Sequence, residues 1–450
     1  METAVPHVLE VTARFYPDIG GIETHVHEVS LRVNAGGTAR ATVLATDSTG
    51  LLPRDEVVLG VPVERVRAWP RGRDYYLAPG IWSRVRASDV DLVHLQGVHT
   101  LVPLVGMLAA LTAGKPYVVT FHSGGHSSAA RRSIRGLQWR VLGPLLRRAD
   151  RLIGVSRFEA GHFAEILGLP ADLFTVIRNG GNLPPEMPGP TSDAADADGT
   201  QPTGHAERST DPSVSTVSEV STGSAVSGGS RGSAGPPGGP LVISFGRLEH
   251  YKGHHRVVEA LPHLLRTHPD ARLLILGNGP DRAVLEALAE KVGVAHRVSF
   301  DYIPGADRAR LRRTVSGAAV VTLLSDYEAQ GIAVLEALGL HRPVLVTRTS
   351  ALTELAEDGL CLGISADAGP VEVAAGLARQ VDDPLLPPPD AVLPTWDGCA
   401  DQVAAVYQDV LNDRVRAWGA QRRTVTWGSE RAARPGRAAR RVLAAVHRRR

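Results

Sequence analysis

The chain has 450 residues, of which 43% are hydrophobic, and a formal net charge of +2. This length predicts two domains rather than a single core, and the apolar fraction is enough for both to be globular. Only two cysteines occur, Cys361 and Cys399, which argues against a disulfide scaffold and favours a reducing compartment such as the cytoplasm.

Strand and helix patterns alternate through the first part of the chain. The predicted strands are His7–Val11, Ala41–Ala45, Leu92–Leu95, Tyr117–Phe121, Leu152–Val155 and Thr175–Ile177. The predicted helices are Glu23–Val33, Pro103–Thr112, Ile134–Arg148 and Phe158–Leu167. Near-continuous apolar strands that alternate with helices are typical of a parallel sheet covered on both faces.

Residues 188–240 contain no Leu, Ile, Phe, Tyr, Trp or Met, and consist mainly of Ser, Gly, Thr, Pro and Ala. A segment of this composition cannot offset its ordering entropy by burying apolar surface. We therefore expect a disordered linker that divides the chain in two.

After the linker the same alternation returns. The predicted strands are Leu241–Phe245, Arg272–Leu276, Val298–Tyr302, Ala319–Leu323, Val344–Val346 and Leu362–Ile364. The predicted helices are His254–Arg266, Asp281–Lys291, Asp307–Arg312 and Ile332–Leu340. The predicted fold class is therefore α/β, with two Rossmann-like domains, residues 1–187 and 241–395, that face each other across a cleft. Ligands in such folds bind at the carboxyl ends of the strands.

The end of the chain differs from the rest in charge. A final helix is predicted over residues 396–413, followed by an Arg-rich tail, 414–450, with twelve arginines and one acid. The rest of the chain is acidic, so the sequence shows no nucleic-acid footprint. Three interpretations of the tail stay open, namely a solvated extension, a weak contact with an anionic membrane surface, and a contact with the acidic body.

No membrane-spanning segment is predicted, since the longest apolar run, Leu101–Ala113, is too short and contains Pro103 and Gly106. The first residues lack a basic segment followed by a long apolar stretch, so we also expect no signal peptide. These observations predict a soluble protein in the cytoplasm, and the tail leaves open a peripheral position at the inner membrane face.

Two glutamates flank the start of a helix in residues 325–338. Glu328 follows an apolar strand, and Glu336 lies in the apolar stripe of the helix that opens at Gly331. A carboxylate in that position needs a partner, which is either a structural cation or a pair of vicinal hydroxyls such as those of ribose. Glu328 is placed to hold a second polyol, and the backbone N–H groups of Gly331 and Ile332 are placed to face an anion.

A second motif occupies residues 245–253, again after a strand, and carries Arg247 and Lys252. Two fixed cations in one loop suit a leaving diphosphate, on which negative charge develops, although a solvated surface loop is the alternative. A third motif, residues 16–25, contains the pair Gly20 and Gly21 before a helix, which allows backbone amides to approach a phosphate or serves only as a turn.

These motifs, in their order along the chain, closely resemble those of the family 4 glycosyltransferases, which are retaining enzymes of the GT-B fold. The resemblance is carried by Gly20-Gly-Ile-Glu-Thr-His-Val26, Thr120-Phe-His122, the loop 245–253, and the two glutamates eight residues apart. It continues through residues 154–156, 177–180 and 353–359, and runs from the first strand to about Leu411 without the linker.

The resemblance implies a role for each candidate residue of the second domain. Arg247 and Lys252 would bind the donor diphosphate, Glu336 the ribose hydroxyls, and Glu328 the hydroxyls of the donor sugar. The backbones of Gly331 and Ile332 would close on the phosphate. The segment Ala329-Gln-Gly331 differs from the Gly-Phe-Gly of many relatives, which leaves the donor sugar open.

In the first domain, His122 is similar to the family's histidine near the reacting sugar, and Gly21 to its glycine turn beside the phosphates. The resemblance thus implies that His122, Glu328, Arg247 and Lys252 are the catalytic group. It also implies an acceptor domain at 1–187, a donor domain at 241–395, and a helix 396–413 that crosses back onto the first domain.

The expected reaction is transfer of a hexose-type sugar from a UDP- or GDP-sugar to a small-molecule, glycan or lipid-linked acceptor. Such a reaction belongs to glycan, glycolipid or natural-product biosynthesis. The nucleotide sugar is a co-substrate, and no metal or other cofactor is expected, since the histidines include no pair at zinc-site spacing with a supporting Cys or carboxylate. Two alternatives remain, a nucleotide-sugar epimerase or hydrolase on the same fold, and a non-catalytic binding protein.

Overall fold

A computed structural model describes residues 5–18, 20–70, 77–122, 139–183 and 238–424 of the chain. The first half alternates strands and helices. In chain order these are β1 His7–Val11, α1 Gly21–Gly36, β2 Arg40–Asp47, β3 Asp55–Val58, β4 Val61–Arg67, α2 Pro79–Ala87, β5 Leu92–Gln96, α3 Leu101–Thr112, β6 Tyr117–Phe121, α4 over 139–146, β7 Arg151–Gly154, α5 Arg157–Leu167 and β8 Phe174–Val176.

The second half repeats the alternation and ends in one long helix. Its elements are β9 Leu241–Phe245, α6 His254–Leu264, β10 Arg272–Leu276, α7 Arg282–Lys291, β11 Val298–Asp301, α8 Arg308–Ser316, β12 Val320–Leu323, α9 Ile332–Gly339, β13 Val344–Thr347, α10 Ser350–Glu357, β14 Leu362–Ile364, α11 Pro370–Asp382 and α12 Trp396–Thr424.

The strands form two separate sheets. The first has the order β3-β4-β2-β1-β5-β6-β7-β8, and the second has the order β11-β10-β9-β12-β13-β14. All the pairs are parallel except β3 with β4, which is antiparallel. This arrangement confirms the predicted α/β class with two Rossmann-like halves.

Both faces of each sheet are covered, as the apolar strands predicted. On one face of the first sheet, residues of β1, β5 and β6 such as Leu9, Leu95 and Phe121 pack with α2, α3 and α5. On the opposite face, Val8, Leu92 and other residues of the same strands pack with α1 and α12. In the second sheet, two further clusters cover the two faces in the same way.

Two elements of the first half were not predicted. The β3–β4 hairpin lies at the edge of the sheet, and its strands, DEVV and VPVERVR, mix apolar and charged residues instead of forming an apolar run. Helix α2 is short and begins with Pro79 at its first turn, so its periodicity is too brief to stand out. In the second half, α10 and α11 were missed as well.

The last helix begins at Trp396, as expected, but continues through Thr424, beyond the predicted end at residue 413. The extension is tied to the first half, since Arg414 Nε and Nη2 lie 2.8 and 3.0 Å from the two carboxylate oxygens of Asp150. Arg151 Nη2 lies 2.7 Å from Asp413 Oδ2 in the same region. Helix α12 therefore extends into the segment that the sequence predicted as a tail.

Parts of other predictions lie outside the described residues. These are the linker apart from residues 238–240, the tail after residue 424, and the start of the predicted helix Ile134–Arg148. Within the described residues, none of the helices combines the length and hydrophobicity that crossing a bilayer requires.

Candidate functional site

A cavity of about 700 Å³ lies between the two halves, at the carboxyl ends of strands from both sheets. Loops after β1, β5 and β6 form one wall, and loops after β9, β10 and β12 form the other. All eight residues singled out in the sequence line this cavity, namely Gly21, His122, Arg247, Lys252, Glu328, Gly331, Ile332 and Glu336.

The loop after β9 is pressed against the end of β12. Gly253 has φ 74°, and a Cβ there would lie 2.0 Å from the carbonyl oxygen of Leu324, so glycine is required for this approach. The approach brings Lys252 Nζ to 2.5 Å from Glu328 Oε1. Burial alone would lower the pKa of Lys252, but the Glu328 carboxylate raises it above its ordinary value, so the ammonium stays charged.

Glu328 is held on several sides. Ser325 Oγ donates to Glu328 Oε1 at 2.8 Å, and the backbone N–H of Glu328 donates to Ser350 Oγ at 2.7 Å. Arg247, in contrast, is half exposed and pairs with Glu249 at 2.9 Å in its own loop. Lys252 is thus largely buried against a carboxylate, whereas half of the Arg247 side chain is exposed.

Glu336 is 3% exposed and its carboxylate lies 2.7 Å from Arg308 Nη2 of α8. Burial raises the pKa of Glu336, and the charge and hydrogen bond of Arg308 offset part of that effect. The structure therefore supplies the structural cation that one interpretation of Glu336 required. Arg308 also lines the cavity and was missed in the sequence, because it opens an exposed polar helix and belongs to no motif.

The N-termini of α1 and α9 approach each other across the cavity. A Cβ on Gly21 would lie 3.6 Å from Ile332 Cδ1, and Gly331 caps α9 with φ 83°. Glu23, in the first turn of α1, also lines the cavity and was not singled out as a site residue. Burial raises the pKa of Glu23 to about 7, against the opposing charges of Arg14 and Arg247, so this carboxyl titrates near neutral pH.

His122 forms the opposite wall and is 5% exposed. Its Nε2 lies 2.8 Å from Gln96 Oε1, and its ring meets the ring of His25 edge-on, with centroids 4.7 Å apart. Burial, together with the charges of His25, His94 and His99, holds the pKa of His122 well below its ordinary value. His122 is therefore a neutral imidazole at physiological pH.

Gln330 connects the two halves at the cavity. Its Oε1 accepts from the backbone N–H of Asn179 at 2.7 Å, and its Nε2 donates to the Asn179 carbonyl at 3.3 Å. Asn179 Oδ1 in turn lies 2.6 Å from His25 Nδ1. Gln330, which stands in place of the Phe of the Gly-Phe-Gly pattern, is thus a buried amide that hydrogen-bonds to the backbone of the other half.

Among the described residues, His, Cys, Asp and Glu nowhere gather in a group of three or more that is suited to holding a metal ion. The positive charges that line the cavity come instead from side chains such as Arg247, Lys252 and Arg308.

Two buried histidines near the site make stability depend on pH. Burial lowers the pKa of His25 and of His254 from 6.5 to about 4. In this interval the unfolded state binds more protons, so the free energy of unfolding falls as pH drops from about 6.5 to 4 and is unaffected above that. Each histidine contributes up to about 1.4 kcal/mol per pH unit.

Denaturant unfolding at several pH values measures this effect, and His254→Gln supplies the comparison. Glutamine can still donate to the Arg247 carbonyl, which His254 Nε2 contacts at 3.0 Å, but it does not titrate. We expect a shallower loss of stability with acid in this variant. Parallel curves for the variant and the wild type would contradict the assignment.

Comparison with known proteins agrees with this geometry. Residues 19–183 match the family described as Glycosyltransferase Family 4, and residues 230–387 match Glycosyl transferases group 1. The D-inositol 3-phosphate glycosyltransferase of Nocardiopsis dassonvillei is 27% identical, over 90% of this chain and 95% of that protein. The GDP-mannose:cellobiosyl-diphosphopolyprenol alpha-mannosyltransferase of Xanthomonas oryzae is 26% identical, over 74% of this chain and 76% of that protein.

A solved structure shows the same fold. Anabaena HepE (Alr3699), crystallised in complex with UDP and glucose, superposes with a TM-score of 0.59 at 18% identity, and the match covers 92% of this chain and 100% of that one. Two facing α/β halves with a cavity between them are the architecture of the GT-B fold. The chain belongs to the family 4 glycosyltransferases, which confirms the resemblance seen in its motifs.

Proposed function

We propose that this glycosyltransferase moves a hexose-type sugar from a UDP- or GDP-sugar to a small-molecule, glycan or lipid-linked acceptor, with retention of anomeric configuration. The observation that carries the proposal is the shared cavity, in which the second half supplies cations and carboxylates and the first half supplies a neutral histidine. The donor would bind to the second half, residues 241–395, and the acceptor to the first, residues 1–187.

The diphosphate would lie between the loop after β9 and the N-terminus of α9. Arg247 and Lys252 would neutralise the charge that develops on the leaving phosphate, and the N–H groups of Gly331 and Ile332 would bind its oxygens. Lys252 now pairs with Glu328 at 2.5 Å. An arriving phosphate would share Lys252 with Glu328 and free carboxylate lone pairs for the hydroxyls of the sugar.

Glu336 would bind the ribose hydroxyls while Arg308 keeps its carboxylate ionised. The distance of 2.7 Å from Arg308 Nη2 to Glu336 Oε1 supports this role, because a buried carboxylate would otherwise be neutral and lose acceptor strength. We propose that no metal ion is needed, since cationic side chains line the cavity where the diphosphate would bind.

The acceptor hydroxyl would attack the anomeric carbon from the face that the diphosphate leaves. The leaving phosphate would take the proton of that hydroxyl, as in the front-face mechanism that the family resemblance implies. The low pKa of His122 supports this assignment, because a neutral imidazole so hard to protonate is a weak base and suits hydrogen bonding to a sugar.

The named relatives support a nucleoside-diphosphate sugar as donor, with either UDP or GDP as its nucleotide. The HepE structure contains UDP and glucose, and the Xanthomonas enzyme is named for GDP-mannose. We also propose a cytoplasmic location, with a weak contact between the Arg-rich tail and the inner membrane face. The cluster of arginines near the end of the chain supports that contact.

Thermal unfolding in the presence of nucleoside diphosphates tests the donor assignment. A ligand at 100 times its Kd stabilises the native state by about 2.7 kcal/mol, so UDP or GDP should raise the Tm by several degrees, whereas UMP, GMP and ADP should do so much less. Incubation of the stabilising nucleotide's sugars with candidate acceptors then tests transfer. Sugar release or epimerisation without an acceptor would favour the alternative enzymes, and no stabilisation by any nucleotide would reject the proposal.

A further inference from the structure

A row of polar side chains lies on the face of the first sheet that α12 covers. Glu10 of β1 is in register with His94 of β5, and Gln96 of β5 with Thr120 of β6. Positions two apart on a strand share a face, so Gln96 and His122 extend this row to the carboxyl edge of the sheet. All five side chains are at most 5% exposed. The row therefore leads from the buried sheet to the cavity.

Glu10 is an ionised carboxylate at the inner end of this row. Burial would raise its pKa, but the charge of His94 and the hydrogen bonds from His94, Tyr407 and Gln96 lower it below the ordinary value. Tyr407 of α12 donates to Glu10 Oε1 at 2.5 Å, and Gln96 Nε2 donates to Glu10 Oε2 at 2.7 Å. Both carboxylate oxygens thus accept hydrogen bonds.

The carboxylate determines which way the amide of Gln96 faces. An ionised carboxylate accepts hydrogen bonds only, so the NH₂ group of Gln96 must face Glu10. The flipped amide would bring two oxygens to the 2.7 Å separation between Gln96 and Glu10. Gln96 Oε1 is therefore turned towards His122 Nε2, which lies 2.8 Å away.

The same reasoning applies one step further, to the imidazole of His122. Gln96 Oε1 only accepts, so His122 Nε2 must carry the proton and donate it. A neutral imidazole has one N–H, and the other ring nitrogen, Nδ1, is then an acceptor. His122 lines the cavity, so this acceptor belongs to the wall of the site.

We propose, on the basis of the function proposed above, that Glu10 and Gln96 are positioning residues that hold His122 as the tautomer protonated at Nε2. In this tautomer Nδ1 accepts a hydrogen bond from a hydroxyl of the bound sugar or acceptor. Tyr407 anchors Glu10, and so the last helix, which follows the donor half in sequence, takes part in arranging the opposite wall of the cavity.

Nitrogen NMR of the full-length protein labelled with ¹⁵N-histidine tests the proposal without any substrate. The signals of His122 are assigned by their loss in His122→Asn. We expect one protonated nitrogen, Nε2, and one unprotonated nitrogen, Nδ1, at pH 7. In Glu10→Gln the new amide can present either its oxygen or its NH₂ group to Gln96, so we expect His122 to become a mixture of both tautomers.

Thr120→Val is the matched control. It removes another hydrogen bond of the same buried row, the one of 2.7 Å between Thr120 Oγ1 and His94 Nε2, and leaves the contacts from Glu10 to Gln96 and from Gln96 to His122 in place. The tautomer of His122 should not change in this variant. If Glu10→Gln does not fold, Gln96→Met removes the amide itself and should give the same mixture.

Protonation of His122 at Nδ1 in the wild type would overturn the proposal, as would an unchanged tautomer in the folded Glu10→Gln variant. A kinetic measurement adds a second readout. We expect kcat for transfer to fall about tenfold in Glu10→Gln, while the Kd for nucleoside diphosphate stays within twofold of wild type. A wild-type protein that binds no nucleotide would reject the proposed function, whereas the tautomer result would stand.

Discussion

Arg247→Ala should reduce the rate of sugar transfer by about 100-fold or more, with little loss of stability. Arg247 lines the cavity, is half exposed, and pairs with Glu249 of its own loop. Its removal therefore leaves the core intact and takes one fixed cation from the leaving diphosphate. Initial rates with the stabilising nucleotide sugar, together with the Tm of each protein, measure the two effects separately.

Arg282→Ala is a closely matched control for this experiment. The side chains of Arg247 and Arg282 are both 51% exposed, and each pairs with a nearby glutamate at 2.9 Å, Glu249 and Glu286 respectively. Arg282 opens α7 and does not line the cavity. Its removal should leave transfer within about twofold of wild type, the range usual for a surface position away from a site.

Lys252→Ala should also reduce the rate of sugar transfer by about 100-fold. This substitution has a second effect, on stability. Lys252 is the cation of Glu328, at 2.5 Å, so its loss leaves a buried carboxylate without its charge partner. A moderate loss of stability is expected here and not in Arg247→Ala. Near-normal transfer in both variants would show that these cations do not bind the diphosphate.

The sequence patterns predicted the elements that are buried on both sides. The strands β1, β6, β9 and β10 begin and end where the patterns placed them or within a residue, because each is an apolar run between turns. The β3–β4 hairpin has no such run, since one of its two faces is wet and its apolar residues are spaced among charges. Helix α12 continues beyond its predicted end, where Arg414, which the sequence assigned to a solvated tail, pairs with Asp150 of the first half.

The charged site residues that the sequence predicted lie in pairs, each pair on one short segment after a strand. Arg247 with Lys252, and Glu328 with Glu336, each lie within a short segment after a strand, so their sequence spacing already placed them together. The contacts that join the two halves were missed, because they depend on how the halves meet. Tyr407 and Glu10 are 397 residues apart, and Gln330 and Asn179 are 151 apart.

One of these missed residues carried a sequence signal. Glu10 is a charged residue inside the apolar strand HVLEV, and a buried carboxylate in such a strand requires partners from neighbouring strands. His94 and Gln96 of β5, two residues apart on one face, are the partners that a parallel neighbour can supply. Arg308 gave no comparable signal, since a single arginine at the start of a polar helix is ordinary surface sequence.

The two glutamates at the start of α9 should differ in what they bind. Glu336→Gln keeps the shape of the side chain but replaces a carboxylate oxygen by an NH₂ group, so it should weaken the binding of nucleoside diphosphate itself. A hydrogen bond to a charged group contributes about 1.5–3 kcal/mol, which corresponds to a loss of about tenfold or more in affinity. Titration calorimetry with the nucleoside diphosphate measures this loss directly.

Glu328→Gln should leave nucleoside diphosphate binding within about twofold of wild type and reduce transfer about tenfold or more, since it is expected to contact only the sugar. Glu354→Gln is the control for both variants, because Glu354 is also a buried acid paired with arginines, Arg157 and Arg178, but lies away from the cavity. If both site variants bound the nucleotide like wild type, Glu336 would be only the ion-pair partner of Arg308. If both variants lost the same affinity for the nucleotide, the separate roles of Glu336 at the ribose and Glu328 at the sugar would be wrong.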